Sequence, residues 1–298
     1  MLIHLVWMAL SILMLENIMR KVCLILLSLL LSISISSANE FNEVHLKFGV
    51  YQSDKASEMH RKFNPLITYL STEVSRTLDT STAVSLKIYR SYKGANDALV
   101  AGDIDFVRFG PASYILAQQK QENIQLLAME EKKGKTKFNG LIVVLKDSPI
   151  KKLSDLAGHS FAFGNENSTI GRYLAQSELL KAGIDSSSII KSEFLGRHDK
   201  VFKAVELGDY DAGSLKESTF KKMNINNQLR VLHSFENITK PWIAREGLEP
   251  KVFDALSQAL INLSDTKILK LYKVSSFVPT NSENYQYVRD SMQRSKLF

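Results

Sequence analysis

The sequence contains a single cysteine, Cys23, among 298 residues. It therefore has no pair of thiols for a disulfide within the chain and no cysteine cluster for a structural zinc ion. It also lacks the G-x-S-x-G and H-E-x-x-H patterns that mark two large classes of hydrolase. A chain of this length without disulfides depends on a hydrophobic core for its stability.

Long apolar runs are also scarce, and the main one lies near the start. It extends over 14 residues, Val22–Ile35, whereas a helix that crosses a membrane needs about 20. Arg20 and Lys21 precede this run and Ser36-Ser37-Ala38 follows it, which is the pattern of a secretory signal peptide cleaved after Ala38. An uncleaved membrane anchor is the alternative, and the shortness of the run favours cleavage.

The residues before that run contain a second apolar stretch. Residues 1–18 are mostly apolar but are interrupted by Glu16 and Asn17. Because Met19 directly precedes the basic pair that opens the signal pattern, we expect translation to start at Met19. The predicted signal peptide then lies within residues 1–38.

The chain carries a modest positive charge of +7, which becomes +6 once residues 1–38 are removed. The exported protein then has no cysteine, which suits a location in the bacterial periplasm. A positive excess favours anionic partners. The basic residues form no single tract, since Glu130–Lys137 ("EEKKGKTK") mixes both signs and is expected to be a solvated loop. No nucleic-acid-binding motif is present, so we expect no nucleic-acid partner.

Strands and helices alternate from residue 44 onward. Val44–Tyr51, Ala83–Arg90 and Asp103–Gly110 are predicted strands. Helices are predicted at 58–74, at 92–102 and from Pro111, where proline suits the first helical turn. This alternation predicts parallel βαβ units and therefore an α/β sheet.

A β-rich run that starts at Phe138 opens a second series of the same kind. Its predicted strands lie near 160–164, 190–195, 211–215 and 229–235, and helices near 250–263 and 266–273 close the chain. We therefore predict two α/β lobes, one formed by 39–137 with 240–298 and the other by 138–239. The chain would cross between them near 136–142 and 236–243, and its C-terminal segment would pack on the first lobe.

A polar turn interrupts the second series at "FGNENSTIGRYL", residues 163–174. Ser168 and Thr169 are suited to cap the following helix, which would leave the N–H groups of Ile170, Gly171 and Arg172 unpaired. Such donors and the helix dipole together favour an anion. Gly171 would let a ligand approach the backbone, and Arg172 would add a guanidinium. An ordinary helix cap is the alternative interpretation of the same residues.

Other polar or aromatic residues follow the predicted strands, where ligands bind in open α/β sheets. Each has an alternative structural role, as a core aromatic, a helix cap or a turn residue. Their common position nevertheless indicates a binding cleft. They are Tyr51, Tyr92, the segment Gly110-Pro111-Ala112, His198 and Asp211.

Several of these segments together resemble one known family. "FGVY", "AGDIDFVRFGPASYILA", "LSDLAGHSFAFGNENSTIG" and "GRHDKVFKAVELGDYDAGSLKEST" are similar to the phosphate-, phosphite- and phosphonate-binding PhnD-like periplasmic receptors of ABC importers. The resemblance covers nearly all of the exported chain in the same order. It implies a type II periplasmic binding protein with two lobes, a hinge between them and a small oxyanion in the cleft, with no cofactor and no metal.

The resemblance also implies roles for individual residues. Ser168 and Thr169 would bind the oxyanion through hydroxyl and N–H groups, and His198 would donate to it. Tyr51 and Tyr92 would line the cleft, Gly110, Pro111 and Ala112 would bring backbone close, and Asp211 would accept a hydrogen bond from the ligand.

One position departs from the family pattern. The family turn usually carries a further serine where this chain has Ile170, so one hydroxyl contact would be lost, at a cost of roughly 1.5–3 kcal/mol. Arg172 would compensate, or the ligand would differ. Lys216 is a further cation that would face the cleft, although a lysine at such a position is commonly just exposed.

The resemblance implies a monomeric receptor that delivers its ligand to an ABC permease in the inner membrane. A periplasmic sensor subunit that signals to a kinase or chemoreceptor is the alternative with the same fold. A secreted enzyme is a third hypothesis, which we do not favour because His198 and Asp199 are adjacent on a helix and do not face one another.

Overall fold

The computed structural model describes Trp7 and residues 14–16, 18–24, 43–52 and 56–298. Most of the predicted signal peptide and its cleavage site lie outside the described residues, so both remain predictions. Within the described ranges, the helices are all too short or too polar to cross a membrane. Residues 43–298 form one compact unit.

The unit contains eleven strands among its described residues. They are β1 Val44–Tyr51, β2 Thr82–Tyr89, β3 Phe106–Arg108, β4 Gln125–Glu131, β5 Lys137–Leu145, β6 Ser160–Phe163, β7 Lys191–Phe194, β8 Ala212–Lys216, β9 Leu229–Ile238, β10 Pro241–Ala244 and β11 Ser276–Val278.

Nine α-helices accompany these strands in the same part of the chain. They are α1 Ala56–Leu78, α2 Tyr92–Val100, α3 Pro111–Lys120, α4 Ala175–Lys181, α5 His198–Glu206, α6 Glu217–Met223, α7 Pro250–Ile261, α8 Thr266–Tyr272 and α9 Gln286–Ser295. A π-helical turn, Thr169–Leu174, leads directly into α4.

The strands form two separate mixed sheets, which confirms the α/β class. The first has the order β11-β4-β10-β3-β1-β2, and the second has the order β7-β6-β8-β5-β9. In the first sheet β1 is parallel to β2 and β3, whereas β10 is antiparallel to both of its neighbours. In the second, β6 is parallel to β7 and β8, and β5 is antiparallel to β8 and β9.

The central strands of each sheet are buried on both faces because they are predominantly apolar, whereas the edge strand β7 is exposed. In β1, the alternate residues Leu46, Phe48 and Val50 join one core cluster, and Phe48 stacks on Trp242 of β10 with ring centroids 4.8 Å apart. Helix α1 covers this face with Met59, Phe63, Leu66, Leu70 and Val74, whose spacing places them on one side of the helix.

Two short connections join the sheets side by side. One runs from β4 to β5 and the other from β9 to β10, and the Thr239 N–H donates to the Thr136 carbonyl at 2.7 Å. These connections lie where the sequence predicts the crossings between lobes. The precise lobe boundaries remain a prediction.

The C-terminal helix α9 contacts helices that pack on each of the two sheets. The sequence instead predicts that the C-terminal segment packs on the first lobe. Helix α9 packs on α3, on α4 and on the π-helical turn. Arg289 donates to Gln118 of α3, and Arg294 donates to Ser177 of α4. Helices α7 and α8 do pack on the first sheet, where they contribute to its core cluster.

Candidate functional site

The carboxyl ends of strands from both sheets meet the polar turn. Tyr51 ends β1, Gly110 follows β3, and Lys216 ends β8. Two oxygens lie near the position that a Cβ on Gly110 would take, the Tyr51 hydroxyl at 3.3 Å and Thr169 Oγ1 at 3.5 Å. The two sheets therefore present their strand ends to one cleft, as the position of these residues in the sequence predicts.

The turn forms its own cap. Ser168 Oγ accepts from the Gly171 N–H at 3.0 Å, and the Ser168 carbonyl accepts from the Arg172 N–H at 3.1 Å. The sequence predicts that the N–H groups of Ile170, Gly171 and Arg172 are unpaired. The structure contradicts this for Gly171 and Arg172, because the serine cap uses both.

Gly171 packs directly against the strand, and its role in the approach of a ligand stays a prediction. A Cβ on Gly171 would lie 2.8 Å from Gly164 Cα, which is too close for two carbon atoms without a shift of the backbone. The Gly164 N–H donates to the Gly171 carbonyl at 2.8 Å. The pair of glycines therefore seats the turn directly on the end of β6.

Thr169 joins the two sides of the cleft. Its Oγ1 accepts from the Ala112 N–H, in the first turn of α3, at 3.0 Å. Both residues are buried. Pro111 occupies the first position of α3 and has no N–H, so the Ala112 N–H is the first of the first-turn donors that lack a partner within this helix, and Thr169 supplies its acceptor. This places the expected backbone segment 110–112 at the turn.

Tyr51 and Tyr92 form one wall of the cleft. Their rings stack with centroids 3.9 Å apart. Lys240, in the connection from β9 to β10, donates to the Tyr51 hydroxyl at 2.8 Å, and its ammonium lies 4.8 Å from the Tyr51 ring centroid. Burial raises the pKa of both tyrosines, so both hydroxyls are neutral donors.

A cluster of cations lies beside this wall. Arg108 of β3 forms a buried ion pair with Glu130 of β4, and Lys132 Nζ lies 3.8 Å from Glu130. Lys132 and Lys216 each place an ammonium over the Phe138 ring, at 5.4 and 4.9 Å from its centroid. With Lys240, the cluster holds four cations and one carboxylate.

The expectation that Glu130–Lys137 forms a solvated loop is wrong at its start. Glu130 is completely buried, and only the part of the segment from Lys133 is exposed. The reason is that Glu130 belongs to β4, where its carboxylate pairs with the guanidinium of Arg108 in β3, on the other side of β10. Arg108, Glu130, Lys132 and Lys240 are the site residues that the sequence does not single out.

The charges of the cluster are imperfectly compensated, as the pKa directions show. Burial lowers the pKa of Lys216 and Lys240 well below the usual value, and neighbouring cations lower it further. Burial opposes ionisation of Glu130, yet Arg108 and Lys132 bring its pKa down to about 2. In the described part of the chain, ion pairs with a carboxylate include neither Lys216 nor Lys240.

His198 lies at the start of α5 next to the same lysines. Burial, followed by the charges of Lys216 and Lys240, lowers its pKa to about 4, and it makes a backbone hydrogen bond with Ser214 of β8. Its Nδ1 is buried without a hydrogen-bond partner among the described residues. The ring is therefore neutral near pH 7 and has a nitrogen that remains available to a ligand.

Three of the residues singled out in the sequence have side chains directed away from the cleft. Arg172 donates to the Glu166 carbonyl at 2.9 Å and stacks on Tyr173 and Phe194, so it holds the loop that precedes the turn. Asp211 accepts from the N–H and hydroxyl of Ser160 at 2.8 and 2.6 Å. Because Ser160 begins β6 and Asp211 precedes β8, this contact lies at the opposite end of the second sheet.

Ile170 is the third of these residues. It is 4% exposed and belongs to the core cluster of the second sheet, with Phe235 and Ile142. Its Cγ2 lies 2.9 Å from the position of a Cβ on Gly140. The isoleucine therefore packs under the turn, and the difference from the family pattern changes the core beneath the cleft.

The chain matches the family of periplasmic substrate-binding proteins of phosphonate ABC transporters over residues 48–285. It belongs to this family. It is 28% identical over 293 residues to the probable ABC transporter phosphite-binding protein PhnD1 of Prochlorococcus marinus (strain MIT 9301), a match that covers 91% of this chain and 96% of that one. It is 24% identical over 221 residues to the phosphate-import protein PhnD of Mycolicibacterium smegmatis, which covers 68% and 67%.

Solved structures are similar over the same part of the chain. PhnD1 of P. marinus in complex with methylphosphonate superimposes with a TM-score of 0.71 at 25% identity, covering 85% of this chain and 99% of that one. XAC2383 of Xanthomonas citri, bound to chloride, has a TM-score of 0.74 at 22% identity, covering 85% and 98%. The fold is therefore the two-lobe type II periplasmic binding-protein fold, as the sequence predicts.

Proposed function

We propose that this chain binds a phosphorus oxyanion, namely phosphate, phosphite or a phosphonate, in the cleft between the strand ends of its two lobes. The head of the anion would lie among the Tyr51 hydroxyl, the Ala112 N–H, Thr169 and His198. Phosphite, phosphate and methylphosphonate are the ligands in the names of the relatives described above. The protein would act in the periplasm as a monomeric receptor for an ABC permease, without catalysis.

The observation that carries this proposal is the uncompensated positive charge next to the turn. Lys216 and Lys240 are partly buried, flank His198 and have no carboxylate partner among the described residues. Charges removed from water are costly unless they are paired. An oxyanion at Thr169 would supply the missing partner, and neutral donors such as Tyr51 would complete its hydrogen bonds.

The contact between the two sides of the cleft at Thr169 also suits a ligand that bridges them. The hydroxyl accepts from the Ala112 N–H of the other lobe. An oxyanion beside this contact can accept from the Thr169 hydroxyl and, by replacing Thr169 Oγ1 as the acceptor, from the Ala112 N–H, and so would bridge the lobes. A ligand that bridges two lobes stabilises the closed state of a hinge protein.

The test is a binding panel on the exported protein. Phosphate, phosphite, methylphosphonate, 2-aminoethylphosphonate, sulfate and several organic carboxylates are compared by thermal shift. A ligand at 100 times its Kd adds about 2.7 kcal/mol, which raises the midpoint by roughly 5–10 °C. We expect the phosphorus oxyanions to stabilise the protein and the carboxylates not to. If no phosphorus oxyanion raises the midpoint, the proposal is wrong.

Two variants test the site itself. Lys240→Met removes a cluster cation, and we expect it to weaken binding of the stabilising anion about tenfold or more, because a hydrogen bond to a charged group contributes roughly 1.5–3 kcal/mol. Lys270→Met removes the same charge from an exposed position on α8 and serves as the control. Equal affinities of the two variants would place the anion elsewhere.

A further inference from the structure

The cluster holds more positive charge than a single oxyanion head neutralises. When Arg108, Lys132, Lys216 and Lys240 are protonated, Glu130 leaves an excess of three positive charges. A phosphonate head carries two negative charges at most. The proposed function therefore leaves at least one cation of the cleft without a counter-charge.

The cations also occupy two distinct positions. Lys240 contacts the Tyr51 hydroxyl, next to the proposed position of the oxyanion head. Lys216 and Lys132 instead each place an ammonium near the ring of Phe138, the second residue of β5. A single compact head at Thr169 lies beside the first position. At the second position Glu130 lies 3.8 Å from Lys132, whereas Lys216 has no carboxylate within ion-pair distance among the described residues.

A buried polar group lies across from the second position. Asn237 pairs with Phe138 in the register between β9 and β5, so both side chains lie on the same face of the sheet. Its side chain is almost completely buried, and its Oδ1 has no hydrogen-bond partner among the described residues. Because the oxygen and nitrogen of an amide exchange places by a simple flip, Asn237 can present an N–H to an anion at this position.

The side chains beneath Lys216 are apolar. Gly140 lies opposite Lys216 in the register of β5 and β8. Phe235 and Ile170 fill the space that a side chain on Gly140 would occupy, with closest atoms at 2.3 and 2.9 Å. Lys216 therefore lies above Phe138 and the buried side chains of Phe235 and Ile170, an apolar base that is compatible with a short hydrocarbon linker.

We propose that the preferred ligand is a two-headed anion, with a phosphorus oxyanion head joined by a short linker to a second anionic group such as a carboxylate. This rests on the proposed function. The first head would lie at Tyr51, Ala112, Thr169 and His198, and the second at Lys216 and Lys132 over Phe138. A ligand with an amine in the second place would meet like charges there.

Ligands that share one head and differ only in the second group test this proposal. Dissociation constants of the exported protein are measured by calorimetry for methylphosphonate, phosphonoacetate and 2-aminoethylphosphonate. We expect phosphonoacetate to bind at least tenfold more tightly than methylphosphonate, and 2-aminoethylphosphonate to bind most weakly. Pyrophosphate forms a fourth arm, which shows whether the second position accepts a phosphoryl group as well as a carboxylate.

The second position is then tested by changing its lysine. In Lys216→Met we expect the two affinities for phosphonoacetate and methylphosphonate to differ by less than threefold, and in Lys216→Arg we expect the wild-type preference to remain. Lys222→Met, which removes an exposed charge from the neighbouring helix α6, is the control and should keep the wild-type ratio.

The outcomes separate this inference from the proposed function. If methylphosphonate or 2-aminoethylphosphonate binds at least as tightly as phosphonoacetate to the wild-type protein, the two-headed ligand is excluded while the oxyanion site stands. If no phosphorus compound binds, the proposed function itself is wrong. A preference for phosphonoacetate that persists in Lys216→Met would overturn the assignment of the second head to Lys216.

Discussion

Burial and the nearby lysine charges, rather than the ordinary pKa of an imidazole, determine the charge state of His198. Its ring is shielded from water and lies near Lys216 and Lys240, while Asp199 only partly offsets them. A neutral imidazole donates one hydrogen bond and accepts another. It can therefore match an oxyanion that carries a proton, whereas a lysine ammonium at this position could only donate.

The lowered pKa of His198 predicts a specific loss of stability in mild acid. The unfolded chain takes up this proton near the ordinary value of 6.5, whereas the folded protein takes it up only near 4. The stability that depends on neutral His198 is therefore complete above about pH 6.5 and decreases as the pH falls towards 4, by about 3 kcal/mol in total.

Urea unfolding of the ligand-free protein at several pH values, compared with His198→Gln, measures this effect. The free energy of unfolding of the wild-type protein should fall more steeply than that of the variant as the pH is lowered from 6.5 to 4.5. Parallel profiles would show that His198 titrates normally in the folded state.

The contact between Gly164 and Gly171 predicts a second effect at single residues. A methyl group on Gly171 would lie 2.8 Å from Gly164 Cα, where only backbone is available to move. We expect Gly171→Ala to lower the free energy of unfolding by about 1–3 kcal/mol and to weaken anion binding, because the turn must shift away from β6. Urea unfolding and calorimetry check the two effects. An unchanged stability would mean that the turn is not seated as described.

At the scale of elements, the ion pair between Arg108 and Glu130 joins β3 to β4 across β10. The two strands are not neighbours, since β10 lies between them and pairs with both. The carboxylate is fully buried, so its loss would leave the guanidinium without a partner.

Glu130→Gln should therefore destabilise the ligand-free protein by about 3–5 kcal/mol, which is typical for removal of one partner from a buried pair. The neighbouring Glu131→Gln is the matched control, because Glu131 accepts a hydrogen bond from Ser276 that a glutamine oxygen retains. We expect the control to change stability by less than about 1 kcal/mol. Urea unfolding measures the loss of stability in both variants. Equal losses would contradict the described role of Glu130.

The sequence predicts much of the fold and part of the site, and the difference has a physical cause. Strand β1 matches its predicted bounds because its alternating pattern is long and unbroken, and the cap at Ser168 is a purely local interaction. Strand β4 and helix α9 have no such local signal. The pairing of Glu130 with Arg108 depends on the order of strands in the sheet, so neighbouring letters such as "EEKK" suggest a solvated loop instead.

The same distinction holds for the candidate residues. Tyr51, Thr169, Ala112 and His198 meet because each lies at a strand or helix end, which the sequence pattern locates. Arg172 and Asp211 also lie near such ends, but their directions depend on local partners, the Glu166 carbonyl and Ser160. Lys240 lies in a connection whose path is defined only once both sheets have formed.

At the scale of the whole molecule, anion binding should be linked to proton uptake. Burial, followed by the charges of neighbouring cations, lowers the pKa of Lys216 and Lys240, and a bound anion would raise both values again. At about pH 9, where a phosphonate is already a dianion, we expect the complex to take up protons from the buffer. The heat of binding should then depend on the ionisation enthalpy of the buffer, and less strongly so in Lys216→Met. Net proton release would contradict this account.

The distribution of these cations between the lobes has a mechanical consequence. Arg108, Lys132 and Lys240 lie on the side of the first sheet or its connections, and Lys216 lies on the second sheet, so closure brings like charges together. Their Coulomb repulsion would favour an open cleft when no ligand is bound, and an anion between them would turn the repulsion into attraction. In the proposed receptor cycle, loss of the anion to a permease would restore this repulsion and so favour reopening of the cleft.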